Sequence, residues 1–129
     1  MGATLELQSA VVAAFDGSQQ FAGVYHDVPA RAEFPFAVIT CSDERDWSCK
    51  GRRGREIELQ IVLWDDQPSR LLELEDRLES AVQGVKTEVD WKMSTMVIMG
   101  KRRTRDPAGP SSCMLQYRAR LLSNRGEEE

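Results

Sequence analysis

The sequence has little of the chemistry on which metal sites and catalytic sites are built. It contains a single histidine, His26, and three cysteines, none of which form a C-x-x-C pair. A structural zinc site needs four closely spaced nitrogen or sulfur ligands, and a Ser–His or Cys–His pair would have to use His26, with no G-x-S-x-G elbow present. Asp43, Glu44 and Asp46 cluster beside arginines, which is typical of a solvated strand end. We therefore predict three free thiols, no metal or other cofactor, and no enzymatic activity.

Long apolar runs are also missing. No stretch approaches the roughly 20 apolar residues of a membrane-spanning helix. The first residues lack the basic segment and the apolar segment of a secretion signal. We expect no membrane association and a chain made in a reducing cytoplasm, where free cysteines persist.

Net positive charge is lacking, although positive patches are present. Lys and Arg number 17 against 21 Asp and Glu, giving a net charge of −4, so there is no global electrostatic reason to bind nucleic acid. The cations nevertheless gather in two clusters: Lys50, Arg52, Arg53, Arg55, and Lys101, Arg102, Arg103, Arg105. Trp47 and Trp91 lie near them, so a nucleic-acid grip stays open beside the alternative of solvated hairpin tips.

The periodicity of apolar residues predicts a mixed fold. Helical spacing predicts a helix at 4–15, ended by 16–18, and a second, acidic helix at 68–83, ended by Gly84. Strand-like stretches are predicted at 34–41, 57–63, 88–101 and 113–121, with Val89, Trp91, Met93, Thr95, Val97 and Met99 on one face. The segment at 24–30 reads as a short extended piece.

These elements predict the fold class. Strands and helices do not alternate one for one, so a doubly wound parallel sheet is disfavoured. We predict an α+β fold: a mostly antiparallel sheet built from two long hairpins, with helices packed on one face. Residues 1–122 should form a single domain, followed by a flexible acidic tail at 123–129. Ile57, Leu59, Ile61 and Leu63 should face the helix of Leu71, Leu74 and Leu78, and Trp64 should point to the other face.

The glycines of "GRRGRE", residues 51–56, do not make a phosphate loop. Such a loop must open a helix, whose N-terminus binds the anion. Here the glycines connect two predicted strands, and the sequence lacks G-K-[ST]. The chemistry of this segment alone favours a solvated hairpin tip.

The order of several short motifs resembles the tail-completion family of long-tailed phages and gene transfer agents, whose members act as tail terminators. The motifs are YHDVP (25–29), FPFAVI (34–39), DWSCK (46–50), GREIELQIVLW (54–64), DPAG (106–109) and LQYRA (115–119). The family usually reads Tyr-Asp-x-Val-Pro and Asp-Trp-Ser-Thr-Lys, so His26 is an insertion and Cys49 a replacement. The resemblance spans roughly residues 5–122. Its structural motif residues here are Tyr25, Asp27, Pro29, Phe34, Pro35, Asp46, Gly54, Glu56 and Trp64.

The resemblance implies a structural virion protein that forms a hexameric ring, caps the tail tube and joins it to the head connector. The implied partners are further copies of the chain, the tail tube protein and a neck protein, with DNA passing through the lumen without specific binding. The expected location is the tail or neck of a virion or phage-like particle assembled in the bacterial cytoplasm. Another head–tail joining protein, such as a neck or stopper protein, and a small nucleic-acid-binding module remain alternatives. The predicted subunit or partner interface comprises Trp47, Lys50, Arg52, Arg53, Arg55, Lys101, Arg102, Arg103 and Arg105.

Overall fold

The computed structural model of the chain describes residues 1–18 and 20–124, and these residues form two helices and five strands. In chain order the elements are α1 (Ala3–Ser18), β1 (Gly23–Tyr25), β2 (Phe36–Asp46), β3 (Gly54–Asp65), α2 (Pro68–Gln83), β4 (Trp91–Thr104) and β5 (Ser111–Ser123). The strands make one sheet in the order β1-β2-β3-β5-β4. Only the β1–β2 pair is parallel. The predicted α+β fold with two long hairpins is confirmed.

Both helices share one core with one face of the sheet, as predicted. Along β3 the side chains of Ile57, Leu59, Ile61 and Leu63 are fully buried, because alternate residues of a strand point to the same face. The core also includes the apolar stripes of the helices: Leu7, Val11 and Phe15 from α1, and Leu71, Leu74, Leu78 and Val82 from α2. We call this side of the sheet the helix face and the other side the outer face.

Helix α1 extends further than the sequence suggested. The expected stop at 16–18 is wrong, since the helix runs through Ser18. Asp, Gly and Ser each cost at most about 1 kcal/mol relative to Ala in a helix, which tertiary packing can offset. The buried ring of Phe15 stacks on Phe21 with 5.7 Å between ring centroids, which anchors the last turn.

The prediction that alternate residues of the fourth strand share one face is wrong beyond Met93. Strand β4 shifts register against β5 between Met93 and Thr95 and again between Ile98 and Gly100. Each bulge places an extra residue in β4 and therefore inverts the alternation. As a result Met96 packs against the core, whereas Val97 is 42% exposed.

The predicted tail at 123–129 is described only in part. Ser123 is the last residue of β5, and its backbone N–H donates to the carbonyl of Arg53 at 2.8 Å. The Asn124 side chain donates to the carbonyls of Glu88 and Val89. The acidic residues Glu127–Glu129 lie outside the described residues.

The core supplies a direct stability test. Leu74→Ala and Ile61→Ala should each lower the free energy of unfolding by about 2–5 kcal/mol, because each deletes buried methyl groups and leaves a cavity. Leu72→Ala, at a position 52% exposed on α2, is the matched control and should change stability by less than about 0.5 kcal/mol. Urea titration followed by circular dichroism measures all three. Equal midpoints for the three variants would contradict the sheet-on-helix core.

Candidate assembly surfaces

The tip of the first hairpin, residues 47–53, is a folded turn. Cys49 and Arg52 exchange backbone hydrogen bonds of 3.0 and 2.7 Å, and the chain reverses through Lys50 and Gly51, which have positive φ. The N–H of Trp47 donates to the carbonyl of Gly54 at 2.9 Å.

Gly54 is required at the base of this turn. A Cβ atom there would lie 2.6 Å from the carbonyl oxygen of Trp47, a contact that no side chain tolerates. Its N–H donates to Ser48 Oγ, and that hydroxyl in turn donates to Asp46 Oδ1 at 2.7 Å. The motif residues Asp46, Ser48 and Gly54 therefore build the hairpin tip.

Most cations of the first basic cluster are engaged within the subunit. Arg55 pairs with Glu44 at 3.1 Å and with Asp46 at 3.0 Å. Arg52 donates to the carbonyl of Ser123, and the Arg53 guanidinium lies 5.8 Å from the ring centroid of Trp91.

Lys50 at the apex of the tip and Trp47 at its base differ from these engaged cations in their surroundings. Lys50 is exposed and forms no ion pair with any described residue. The ring of Trp47 is half-buried, with the Arg120 guanidinium 5.1 Å from its centroid. Of the cations predicted in the first interface cluster, Lys50 is thus the exposed one without a contact to another described residue, and its contact with a partner stays a prediction.

The second basic cluster lies mainly on a strand. Lys101, Arg102 and Arg103 belong to β4, and only Arg105 follows in the loop. Arg103 and Lys101 sit opposite the core residues Cys113 and Leu115 of β5, which places both on the helix face. Arg102 sits on the outer face.

The two helix-face cations hold the acidic helix α2. Arg103 Nε lies 3.0 and 3.1 Å from the two carboxylate oxygens of Glu75, and its Nη2 lies 2.7 Å from one of them. Glu75 is only 1% exposed, so this bidentate pair neutralises a buried charge. Lys101 donates to Glu79 and lies 3.7 Å from Glu75. Hydrogen bonding to Glu75 raises the pKa of Arg103, and hydrogen bonding to Glu79 raises that of Lys101.

The neighbouring cations Arg102 and Arg105 are available for contacts. Both are exposed, and neither forms an ion pair with a described residue. The predicted interface cluster thus divides into internally paired cations and free ones. Sequence spacing could not separate them, because the partners lie on elements distant in the chain.

The outer face carries a second charged network near the first hairpin tip. Glu56, with a side chain 13% exposed, lies within 3.8 Å of Arg45, 3.4 Å of Arg118 and 3.1 Å of Arg120. Arg45 also pairs with Glu58 at 2.9 Å. The motif residue Glu56 therefore ties β2, β3 and β5 together.

The other end of the outer face is aromatic. Phe36 stacks on Trp64 at a centroid distance of 6.1 Å and on Phe34 at 5.7 Å, and it meets Tyr25 edge-on at 5.9 Å. The peptide bond between Phe34 and Pro35 is cis. Trp64 lies outside the helix-face core, as predicted; a subunit contact at Trp64 stays a prediction.

The remaining residues of the YHDVP motif form part of the loop that follows β1. Asp27 is exposed and Pro29 half-buried. The inserted His26 contacts Gln8 of α1 through Nδ1, and its carbonyl accepts from Thr40 Oγ1 at 3.3 Å. This loop therefore bridges α1 and β2.

The cysteines occupy three different environments, and all are free. Burial raises the pKa of Cys113 to about 12 and that of Cys41 to about 11, so both thiols stay protonated at neutral pH. Cys49 is exposed at the hairpin tip. No group of three or more His, Cys, Asp or Glu among the described residues could hold a metal ion, and neither described helix is long and apolar enough to span a membrane.

Asp65 joins the end of β3 to the start of α2. Its fully buried carboxylate accepts from the N–H of Gln67 and from Arg70 Nε and Nη2 at 2.7 and 2.6 Å. Burial, the largest single influence, raises its pKa, but the Arg70 hydrogen bonds, the Gln67 N–H and the Arg70 charge together lower it below the usual range.

This lowered pKa predicts a pH-dependent contribution to stability. A carboxylate with a depressed folded pKa stabilises the protein above its unfolded pKa of about 3.9, and the contribution is lost as pH falls through the folded value. The melting-temperature gap between wild type and Asp65→Asn should be largest near neutral pH and shrink below about pH 4. Asp66→Asn, at an exposed neighbour, should show little gap at any pH. A gap for Asp65→Asn that persists unchanged into strong acid would refute this account.

Comparison with known proteins identifies the class. Residues 3–122 match the family described as "Tail completion protein gp17". The chain therefore belongs to the tail-completion family, and is a structural protein of phage-type tails located in the virion.

A solved structure shares the fold. A chain in the structure titled "Virion of native gene transfer agent (GTA) particle" superposes with a TM-score of 0.63 at 17% sequence identity, covering 92% of this chain and 96% of that one. A search of curated proteins found no match.

Proposed function

We propose that this protein is a tail terminator: six copies form a ring that ends the tail tube and joins it to the head connector. The family match over residues 3–122 carries the proposal, because it spans both helices and nearly the whole sheet rather than one short motif. The fold similarity to a chain of a gene transfer agent virion supports it.

The paired surface charges favour an assembly role over a nucleic-acid grip. A nucleic-acid site needs several free cations along one groove to neutralise phosphates. Here Arg55, Arg103 and Lys101 are committed to carboxylates of the same subunit, and Arg52 to a backbone carbonyl. Within the two basic clusters, the free cations Lys50, Arg102 and Arg105 are too few for a continuous track along a groove, but they suit contacts with an acidic protein surface.

Removing the protein from assembling particles tests the proposal. Without it, tails should lengthen beyond their normal distribution and remain unjoined to DNA-filled heads, as seen by electron microscopy. Labelling of the protein should place it at the head-proximal end of the tail tube. A neck or stopper protein would instead leave tails of normal length and lie on the head side of the joint.

DNA binding provides a separate test of the nucleic-acid alternative. The purified protein should show no appreciable affinity for duplex or single-stranded DNA at about 50 mM salt, where phosphate contacts are strongest. Binding that weakens steeply with added salt would favour the alternative. Anisotropy of a labelled oligonucleotide gives the measurement.

A further inference from the structure

The sheet is open, and each of its two ends presents an unpaired strand edge. Within residues 1–18 and 20–124, strand β4 pairs with β5 on one side only. At the other end, β1 covers only Phe36, Ala37 and Val38 of β2. Among the described residues, no strand pairs with Cys41–Asp46 on the side away from β3. Unpaired edges attract further strands, and proteins protect or use them.

The two edges carry opposite charge. The free part of β2 holds Asp43, Glu44 and Asp46 against one arginine. Strand β4 holds four cations and no anion: Lys92, Lys101, Arg102, Arg103. Strand β4 also exposes an apolar run, with Val97, Ile98 and Met99 at 42%, 39% and 55%. A partner strand that is acidic at the matching positions would suit this edge.

Strand directions allow a second copy of the chain to supply that partner. Three successive antiparallel pairings separate β2 from β4, so the two edge strands run in opposite directions. A rotation about an axis along the strands brings β4 of one copy beside β2 of the next as an antiparallel pair. The contact is head-to-tail, and repeated contacts of this kind form a ring when the rotation between neighbouring copies closes.

We propose that the subunits join by pairing the Cys41–Asp46 edge of one copy with the Met99–Thr104 edge of the next, making one sheet that continues from subunit to subunit. The inference rests on the ring role proposed above and specifies its contact. The register that matches charge places Asp43 opposite Arg102 and Glu44 opposite Lys101.

The faces of the sheet agree with this register. Asp43 and Arg102 both lie on the outer face, because their partners within the subunit are the outer-face residues Glu58 and Met114. Glu44 and Lys101 both lie on the helix face, opposite the core residues Ile57 and Leu115.

The Asp43–Arg102 pair is the better of the two pairs for testing the register, because its members are less engaged within their own subunit. Arg102 has no ion-pair partner among the described residues, whereas Asp43 contacts only Arg45 of its own strand, at 2.6 Å. Glu44 and Lys101 already have partners in their own subunit: Glu44 accepts from Thr4, and Lys101 donates to Glu79. A two-fold contact of β4 with β4 would instead oppose cations on neighbouring strands, which is unfavourable.

Cysteine cross-linking tests the pairing. In a Cys41→Ser, Cys49→Ser background, which removes the two unburied thiols, Asp43→Cys and Arg102→Cys are introduced singly and together. Particles assembled in cells carrying each gene are treated with a mild oxidant and separated on non-reducing gels. Residues directly opposite on antiparallel strands lie within disulfide range, at Cα distances of about 4.5–5.5 Å.

The double variant should give a ladder of covalent multimers beyond the dimer, because each copy carries one cysteine on its β2 edge and one on its β4 edge. Each single variant should stay monomeric. Covalent dimers from Arg102→Cys alone would replace the proposal with a two-fold β4 contact. Particles that contain the double variant but yield no ladder would overturn the edge pairing and leave the tail role standing. Absence of the wild-type protein from particles would overturn the proposed function, and the edge pairing with it.

A charge exchange adds a second readout. Arg102→Asp should reduce incorporation into particles at least several-fold, and Asp43→Arg combined with it should restore most of the loss. Failure of the combined variant to exceed the single one would count against this register.

Discussion

A variant carrying Lys50→Glu, Arg102→Glu and Arg105→Glu is expected to fold normally and to fail in tail capping. The three side chains are exposed and have no ion-pair partner among the described residues, so their reversal should cost the fold less than about 1 kcal/mol in total. The same change reverses the charge of the free cations on the proposed assembly surfaces. Lysates should contain overlong or headless tails, counted by electron microscopy.

The matched control reverses three exposed cations that belong to neither basic cluster: Arg31→Glu, Arg77→Glu and Lys86→Glu. It makes the same change in net charge, so a defect shared by both variants would point to net charge rather than to a contact. Circular dichroism melting of both purified proteins checks the fold. Normal particle yields from the first variant would mean that the three cations are only solvated surface residues.

Arg103 is kept unchanged in the first variant, because its side chain is needed for the fold. Sequence spacing groups it with Arg102, yet it forms the bidentate pair with the buried carboxylate of Glu75. Reversing its charge would place two carboxylates together and damage packing of α2 on the sheet. A loss of capping would then report misfolding rather than a lost partner.

Glu6→Ala should cause a large loss of stability for the removal of one polar side chain. The Glu6 carboxylate is 5% exposed and accepts from three consecutive backbone N–H groups, those of Val89, Asp90 and Trp91, at 2.9–3.1 Å. Removing it leaves these donors without their acceptor at the start of β4. We expect a loss of roughly 3 kcal/mol, since an unsatisfied buried donor costs about 1–3 kcal/mol and backbone relaxation recovers part of the total.

For a domain of this size such a loss should lower the melting temperature by roughly 10 °C. Glu73→Ala, which removes an exposed carboxylate from α2, is the control and should leave the melting temperature within a few degrees. Glu6→Gln should fall between the two, because its amide oxygen keeps one uncharged acceptor. A Glu6→Ala protein that melts with wild type would show that water replaces the carboxylate.

The hydrogen bonds of the Glu6 carboxylate could not be predicted from the sequence. Glu6 occupies a polar position in an amphipathic helix, where an exposed glutamate is the ordinary expectation. Its three donors lie more than 80 positions away in the chain. No local pattern marks such a contact, because its energy depends on where α1 docks against β4.

The sequence by itself determined the elements and the class of fold. Alternation along β3 and helical spacing along α2 fixed which side chains are buried, because one strand or helix can bury only one face. The order of short motifs along the chain identified the family.

Only the tertiary structure decided which charges are free and how the sheet ends. The bulges that invert the exposure of β4 arise from its pairing with β5. Arg103 is ion-paired and Arg102 is not, because α2 with Glu75 lies over only one face of the sheet. The two unpaired edges follow from strand order, with β5 inserted between β3 and β4. Each of these depends on contacts between residues far apart in the chain, which local periodicity does not encode.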